Sequence, residues 1–346
     1  MIKKMKAAVI TAPFQVEIRE LPVPEPGPGE VLVRQHAVAL CTLEQRIFTG
    51  IKKFPAPGCW GHEVSGVIEK IGPDCQTDLQ VGDHVALGAP TFCGECVYCS
   101  RGLEEHCVRK GSFRKIEDVV GLFGMAEYAI VESKRAFKTA NDLPFAQTAL
   151  TEPLACVLQG IKKIGLKLGE TVVVIGAGTM GMLNVLAAKS CGARVIVSEL
   201  DEARRKKALA MGADAVIDPG SQDVESSIRE LNGGRKADAV IIAIGNKHAN
   251  ADAIKMVDIC GRVLYFASAH PSEPLDVDPN FIHDTGVVLT GVRGKNLRDM
   301  WDAAALISGG VISTAEQIEE IYPLEKAKEA LEKASSSTNF RIVLSM

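Results

Sequence analysis

The segment Thr171-Val-Val-Val-Ile-Gly-Ala-Gly-Thr-Met-Gly181 joins a short apolar run to a glycine-rich turn. The run Thr171–Ile175 predicts a strand, and the residues after the turn, Met180–Cys191, predict a helix. In this context Gly176, Gly178 and Gly181 allow a tight turn, close approach of the backbone to a pyrophosphate and close packing of helix on strand. With Thr179 and Met180 at the helix N-terminus, the segment predicts a dinucleotide-binding site.

The sequence on both sides of this turn alternates between apolar runs and helical patterns, which favours an α/β fold with a doubly wound parallel sheet. The predicted strands that follow are Ala193–Ser198, Ala215–Ile217, Ala239–Ile244, Gly261–Phe266 and Val287–Gly291. The predicted helices are Glu202–Met211 and Ala249–Cys260.

The first 150 residues have a different character, because glycine- and proline-punctuated apolar pieces predict an irregular β-rich domain. The predicted strands are Lys6–Ile10, Glu30–His36, Glu63–Ile71, Gly82–Leu87 and Ala126–Val131. A helical stretch at Lys326–Ser335 and a strand at Phe340–Leu344 have no partner in the parallel sheet. We expect them to return to the first domain.

Composition sets limits on the partners. The 346 residues are enough for two domains, and 39 Lys and Arg against 43 Asp and Glu leave no basic excess for nucleic acid. No stretch approaches the ~18 apolar residues of a membrane span, and no signal peptide is evident, so we expect a cytoplasmic protein with no membrane partner. Ten cysteines in that compartment suggest metal binding rather than disulfides.

Four of these cysteines are closely spaced as C-x2-C-x2-C-x7-C in a polar, glycine-containing loop: Cys93, Cys96, Cys99 and Cys107. Four thiolates form a closed tetrahedral shell with no position left for a substrate, which is typical of structural zinc. The alternative is a group of unliganded thiols.

A second set of metal-binding side chains is dispersed along the chain: Cys41, His62, Glu63 and Glu152. One thiolate, one imidazole and one or two carboxylates could leave a coordination position open, as catalytic zinc requires. On the residues alone, a single Cys or His is more often packed in a core, and no fixed spacing supports the grouping.

Glu199, at the end of the strand after the glycine turn, is placed to accept hydrogen bonds from a ribose 2′-OH and favours NAD over NADP. A basic run follows it at Arg204, Arg205, Lys206 and Lys207. This run predicts either a 2′-phosphate site or the solvated face of a helix, and the second is the more common reading of such runs.

Taken in order, these motifs resemble the zinc-dependent medium-chain alcohol dehydrogenase family, nearly end to end, and most closely its sorbitol (polyol) and threonine dehydrogenase branch. The resemblance rests on Cys41, the run Gly61-His62-Glu63 with Gly66, the four-cysteine lobe, Glu152-Pro153-Leu154 and the glycine turn. It implies a GroES-like β-rich catalytic domain at 1–153 and 294–346 and a Rossmann domain at 154–293.

The resemblance also implies site residues. It places a catalytic zinc on Cys41, His62 and a carboxylate, either Glu63 or Glu152, and a structural zinc on the four cysteines. Arg204 matches the family's arginine five positions after Glu199, and Val292 and Arg293 fall near its nicotinamide-contacting loop.

The segment after Cys41 departs from the family pattern. The family's hydroxyl and histidine, which pass the alcohol proton to solvent, are replaced by Leu43 and Arg46. Neither can serve as a proton acceptor. Thr42, or Glu44 or Glu63 with water, could take over, or the substrate could supply its own route; Arg46 could bind an anion or pair locally with Glu44.

The resemblance implies hydride transfer between NAD and a secondary alcohol or its ketone, with two zinc ions per chain. The expected substrate is a polyol, a sugar alcohol that could be phosphorylated, or a hydroxy amino acid, and the expected assembly is a homodimer or homotetramer. The alternatives are a metal-free quinone or enoyl reductase of the same superfamily and a non-catalytic nucleotide-binding protein.

Overall fold

The computed structural model describes residues 3–88, 92–109, 113–269, 272, 274–336 and 339–346. The chain divides into two compact units, Met1–Ala155 with Asn296–Met346, and Cys156–Lys295. Within the described residues, every helix is too short or too polar to cross a bilayer.

The strands and helices are numbered along the chain. The strands are β1 (Lys4–Ala12), β2 (Gln15–Pro22), β3 (Glu30–Ala39), β4 (Gly58–Cys59), β5 (Glu63–Ile71), β6 (His84–Leu87), β7 (Arg114–Ile116), β8 (Val119–Gly121), β9 (Tyr128–Glu132), β10 (Ala136–Lys138), β11 (Thr171–Ile175), β12 (Arg194–Ser198), β13 (Ala215–Ile217), β14 (Ala237–Ile242), β15 (Val257–Tyr265), β16 (Val288–Gly291), β17 (Ile318–Pro323) and β18 (Arg341–Ser345). The α-helices are α1 (Thr42–Phe48), α2 (Phe145–Thr148), α3 (Thr151–Lys163), α4 (Thr179–Ser190), α5 (Glu202–Ala210), α6 (Val224–Leu231), α7 (Lys247–Met256), α8 (Pro279–Thr285), α9 (Leu297–Ser308) and α10 (Ala327–Ala334).

The first unit is built on two sheets with a shared apolar core. One has the order β2-β1-β4-β8-β7, and the other has the order β10-β6-β5-β3-β18-β17, with β9 also paired to β3. Val9, Val33, Phe48, Trp60 and Ile68 lie in the core between them, each at most 1% exposed. Strands β3 and β5 are buried along most of their length, and Ala39 and Val343 of this sheet belong to a second buried cluster.

The C-terminal segment completes the second sheet of this unit. Strand β18 pairs antiparallel with β3, Val343 opposite Ala39, and parallel with β17. Helix α10 contributes Leu331 and Ala330 to the same core. The end of the chain therefore packs with the N-terminal β-rich part, as the unpartnered terminal elements predicted.

The second unit is a parallel sheet of order β13-β12-β11-β14-β15-β16. Its central strands β11 and β14 consist mainly of Val, Ile and Ala, since helices cover both faces of such sheets. Strands β12 and β13 lie on one side of β11, and strands β14, β15 and β16 lie on its other side. The turn after β11 thus lies at the point where the strand order reverses, where open α/β sheets bind their ligands.

One predicted element is partly wrong. The helix expected over Ala249–Cys260 ends at Met256, and the residues from Val257 onward form the start of β15. Cys260 adopts φ +57° and Val257 is extended, and a helix can accommodate neither conformation. Helices α1, α2, α3, α6, α8 and α9 lie in segments without a predicted helix.

Candidate metal centre and nucleotide site

Strand register brings three distant pieces of the chain to one end of a sheet. Ala39, the last residue of β3, lies opposite Glu63 of β5 on one side and opposite Val343 of β18 on the other. Cys41 follows β3 by two residues, and His62 immediately precedes β5. The hydrogen-bond ladder of the sheet therefore gathers the thiol, the imidazole and the first carboxylate.

The potential ligand atoms of Cys41, His62 and Glu63 all lie within 4.8 Å of one another. Glu63 is 1% exposed, and its Oε1 accepts a hydrogen bond from Nη2 of Arg341 at 2.7 Å. Its other oxygen, Oε2, is buried without a hydrogen-bond partner in the described structure. A buried carboxylate oxygen beside a thiol and an imidazole fits a divalent cation with mixed ligands.

Helix α1 places a further carboxylate behind the histidine. Cys41 is the N-cap residue of this helix, and Glu44, three positions later, is completely buried. Glu44 Oε2 accepts from the Cys41 backbone N–H at 3.1 Å, while Oε1 lies 2.8 Å from His62 Nδ1. A proton on Nδ1 shared with Glu44 leaves Nε2 of His62 available to bind a metal.

Glu152 approaches the same histidine from the first turn of α3. It is 5% exposed, and its Oε1 lies 4.0 Å from His62 Nε2. Among the described residues, the group of possible ligand atoms within 4.8 Å of one another includes Glu63 but not Glu152. Both carboxylates left open by the sequence are thus at the site, at different distances.

The charged groups around the site favour the binding of a cation. Burial alone lowers the pKa of His62, but Glu44, Cys41 and Glu152 outweigh it and raise that pKa well above its ordinary value. Burial raises the pKa of Glu63 to about 7, and Glu152 adds to this while Arg341 opposes it. The shifts of His62 and Glu63 both favour their protonated forms, and a bound dication would displace those protons.

The other residues of α1 considered for proton transfer take different positions. Thr42 is exposed at the first helical position, and Leu43 and Arg46 are half-buried. Glu44 is engaged with His62 and Cys41, and the described residues include no carboxylate in an ion pair with Arg46. The local Arg46–Glu44 pair that was one expectation is therefore absent from the described structure.

The four-cysteine cluster converges as its spacing predicts. Neighbouring Sγ atoms are separated by 3.9 Å (Cys93–Cys99), 3.5 Å (Cys96–Cys99), 3.9 Å (Cys96–Cys107) and 3.6 Å (Cys93–Cys107). A tetrahedron with Zn–S bonds of about 2.3 Å has edges of about 3.8 Å. The geometry fits a closed zinc site with four thiolate ligands.

Backbone groups around the cluster favour thiolates. The N–H groups of Glu95 and Cys96 point at Cys93 Sγ at 3.4 and 3.2 Å. Backbone hydrogen bonds lower the pKa of Cys96 to about 6, whereas burial and the neighbouring thiols raise that of Cys99 to about 12. Four thiolates so close together require a cation to neutralise them.

The glycine turn has the geometry of a pyrophosphate cradle. Gly176 adopts φ +96°, and a Cβ on Gly181 would lie 1.8 Å from the Gly176 carbonyl oxygen, so the helix packs against the turn at that point. Gly178, the N-cap of α4, has open space where a Cβ would point. Thr179 and Met180, predicted to lie at the helix N-terminus, are the first two residues of α4.

Glu199 follows β12 directly and faces the glycine turn. Its Oε2 accepts from the Ala177 N–H at 2.7 Å and its Oε1 from the Asp201 N–H at 3.0 Å. The carboxylate is half-buried at the carboxyl end of the sheet, where a ribose would be bound.

The basic run lies on α5. Arg205 donates to the carbonyls of Glu199 and Leu200 and pairs with Asp218, and Lys206 pairs with Glu202 on the solvent side. Arg204 and Lys207 are half-buried. Val292 and Arg293 follow β16, half-buried and exposed respectively, at the same carboxyl end of the parallel sheet.

Sequence reasoning missed Arg341, which donates to Glu63 Oε1 and to the Leu40 carbonyl while only 5% exposed. It lies 278 positions from Glu63 in sequence, so no local spacing connects them. The available signal was an arginine at the start of an otherwise apolar closing strand, because a buried charge needs a partner.

The comparisons with known proteins agree with this geometry. Residues 27–141 match the alcohol dehydrogenase GroES-like domain, and residues 179–308 match the zinc-binding dehydrogenase domain. The chain is 31% identical to the L-threonine 3-dehydrogenase of Thermococcus kodakarensis over 99% of this chain and 98% of the relative. It is 28% identical to a sorbitol dehydrogenase of Bombyx mori, over 98% and 97% of the two chains.

A solved structure of a zinc-binding dehydrogenase from Sinorhizobium meliloti 1021, bound to NADP, matches 99% of this chain and 100% of its own, with a TM-score of 0.90 and 26% identity. The chain belongs to the zinc-binding alcohol dehydrogenase family, in the branch of threonine and sorbitol dehydrogenases. The predicted family, the GroES-like plus Rossmann fold and the oxidoreductase class are confirmed.

Proposed function

We propose that this protein transfers a hydride between a nicotinamide dinucleotide and a secondary alcohol or its ketone. The substrate classes are a polyol, a sugar alcohol with or without phosphate, and a hydroxy amino acid, which the threonine and sorbitol dehydrogenase relatives support. The observation that carries the proposal is the convergence of Cys41, His62 and Glu63 within 4.8 Å.

We assign the catalytic metal to Cys41 Sγ, His62 Nε2 and Glu63 Oε2. A zinc ion bound there would act as a Lewis acid, lowering the pKa of a coordinated hydroxyl group by several units. The orphaned Oε2 of Glu63 supports this choice of carboxylate over Glu152, which lies 4.0 Å from the histidine.

Two charged residues position these ligands without themselves belonging to the ligand set. Glu44 holds Nδ1 of His62 and the Cys41 N–H, fixing the imidazole and the thiol relative to α1. Arg341 holds one oxygen of Glu63, so only the other can turn toward a cation. Glu152, whose Oε1 lies 4.0 Å from His62 Nε2, is a further carboxylate that could accept a proton at this site.

NAD is the nucleotide that Glu199 favours. Its carboxylate would accept hydrogen bonds from a ribose 2′-OH and repel a 2′-phosphate. The NADP bound by the Sinorhizobium meliloti relative and the basic residues of α5 support the alternative, so both nucleotides belong in the assay.

We infer a cytoplasmic homodimer or homotetramer. The ten cysteines are all free thiols, which suits a reducing compartment. Strand β16 is an edge of the parallel sheet and exposes Val288, and β15 beside it exposes Ile259, so a second copy could extend or cover this edge.

The test is metal analysis of the purified chain together with NAD and NADP reduction assays over polyols, hydroxy amino acids and sugar phosphates. We expect two zinc ions per chain and steady NADH formation with one substrate class. Cys41→Ser should abolish turnover and leave one zinc ion bound. Turnover of quinones or enoyl compounds that survives Cys41→Ser, or nucleotide binding without turnover of any substrate, would contradict the proposal.

A further inference from the structure

The chain immediately before His62 is held by a loop from a distant part of the sequence, residues 122–126. Two backbone N–H groups at the start of this loop donate to the Cys59 carbonyl at 3.0 Å, and the Met125 N–H donates to the Trp60 carbonyl at 2.7 Å. These three hydrogen bonds attach the loop to the residues that lead into the histidine.

The loop also packs directly on Gly61, the residue that precedes His62. Gly61 adopts φ +100°, and a Cβ on Gly124 would collide with the Gly61 carbonyl oxygen. The two backbones thus touch with no side chain between them. A movement of the loop would therefore displace the peptide that leads into the histidine.

The conformation of the loop depends on a side chain from β3. Phe123 is 1% exposed and has φ +58°, in the left-handed region that side chains larger than glycine rarely adopt, so surrounding contacts must hold it. Gln35, which is 2% exposed, supplies two of these contacts, because its Nε2 donates to the carbonyls of Phe123 and Ala126 at 2.7 and 2.6 Å. Both amide protons of Gln35 are thus bound to the loop.

We infer that Gln35 is a positioning residue for His62, acting through loop 122–126 on the backbone that carries the histidine. Glu44 orients the imidazole through Nδ1, and the loop bound by Gln35 fixes the backbone from which the imidazole projects. The inference rests on the proposed function, in which His62 binds the catalytic metal. Because a metal site needs its ligands held close to bonding geometry, loosening the loop should weaken metal binding there.

Gln35→Met tests this role, because methionine has a similar length but donates no hydrogen bond. The change also removes Gln35 Oε1, a buried oxygen without a partner in the described structure, so the variant should fold. Chelator competition on the zinc-loaded protein measures the release of both zinc ions, and Cys41→Ser identifies the step that belongs to the catalytic ion. Zinc affinity at the catalytic site should fall about tenfold, and that at the four-cysteine site should not change.

Thr171→Val is the matched control for a loss of stability alone. It removes the hydrogen bond at 2.9 Å from the buried Thr171 Oγ1 to Asn232 Oδ1 in the second unit, and it should lower the melting temperature without changing zinc affinity. Unchanged affinity of Gln35→Met for the catalytic zinc ion, or an equal loss at both zinc sites, would overturn the inference.

Hydrogen exchange on the wild-type protein gives a second readout that does not depend on how a variant folds. Because coupling between two sites is reciprocal, zinc bound at His62 should in turn stabilise the loop. The Met125 amide should exchange about fivefold or more slowly with both zinc ions bound than after chelation to one zinc ion per chain. Amides of β2, an edge strand paired with β1, should not change. Equal exchange of the Met125 amide in both states would contradict the coupling.

Failure of the proposed function has a different signature. A protein that binds two zinc ions, shows the effect of Gln35→Met and oxidises no alcohol would overturn the proposed function and leave the role of Gln35 intact. A protein that oxidises an alcohol, and whose catalytic zinc affinity is the same in wild type and Gln35→Met, would overturn the role of Gln35 and leave the proposed function intact.

Discussion

Glu44 Oε1 lies 2.8 Å from His62 Nδ1, and the same carboxylate accepts a hydrogen bond from the Cys41 backbone N–H through its other oxygen. One buried side chain thus orients two of the three proposed metal ligands. The arrangement follows from the sequence spacing, because Cys41 is the N-cap of α1 and Glu44 is three residues later, where a carboxylate reaches back to the N-cap N–H.

Glu44→Gln tests this positioning role. The amide keeps the size of the side chain but loses the charge that holds the Nδ1 proton, so zinc affinity at the catalytic site should fall about 10–100-fold. Chelator competition monitored by zinc release measures it. The exposed Glu20→Gln is the control, and equal affinity in both variants would contradict the role of Glu44.

Cys107→Ser should remove the structural zinc. Three thiolates and a hydroxyl form a much weaker shell than four thiolates, so the chain should retain one zinc ion and melt at lower temperature. Metal analysis and thermal denaturation provide the measurement. Cys260→Ser, which changes an exposed thiol outside both clusters, should keep both zinc ions and the wild-type melting temperature. A Cys107 variant that still binds two zinc ions would show that the cluster is not a metal site.

Glu199→Ser should relax nucleotide choice. Losing a charge-assisted hydrogen bond to the ribose costs about 1.5–3 kcal/mol, so kcat/KM for NAD should fall about 10–100-fold while that for NADP stays constant or rises. The ratio of the two kcat/KM values is the readout. Glu230→Ser, on the solvent face of α6, should leave the ratio unchanged. A Glu199 variant with an unaltered ratio would show that this carboxylate does not select the nucleotide.

Glu170 and Arg262 should make the stability of the second unit depend on pH. Burial raises the pKa of Glu170, but two hydrogen bonds from Arg262 and one from the Lys167 backbone N–H together outweigh burial and hold the pKa below its ordinary value of 4.5. Because the folded pKa is the lower one, the stabilisation is present above about pH 4.5 and is lost as the pH falls through the folded pKa.

Glu170→Gln should therefore destabilise the protein by about 2 kcal/mol at pH 7, and the difference from wild type should shrink toward pH 4. Denaturant unfolding followed at several pH values measures this. Glu202→Gln breaks an exposed pair with Lys206 and should have almost no effect. A Glu170 effect that is constant across this pH range would contradict the assignment.

Much of the fold could be predicted from local patterns. Thr171–Ile175, Glu63–Ile71 and Ala215–Ile217 have the predicted bounds, because glycine and polar residues end each apolar run sharply. The end of α7 could not be predicted, since the left-handed conformation of Cys260 is imposed by the sheet rather than by its own sequence. Tertiary context overrides propensity at such positions.

The candidate site also has some features that local sequence predicts and others that depend on tertiary structure. The cysteine cluster and the glycine turn are local motifs, so spacing predicts both. The sequence does not show whether Glu63 or Glu152 is the carboxylate ligand of the catalytic metal. Their positions depend on the register of β3 with β5 and on where α3 begins. Arg341 and its contact with Glu63 depend on the pairing of β18 with β3, which no short segment encodes.

Anomalous diffraction at the zinc absorption edge, from crystals of the wild-type chain, tests the central claim most directly. We predict two peaks per chain, one inside the four-cysteine cluster and one bonded to Cys41, His62 and Glu63. A single peak at the cluster in a protein that still oxidises an alcohol with NAD or NADP would contradict the assignment of catalysis to this metal centre.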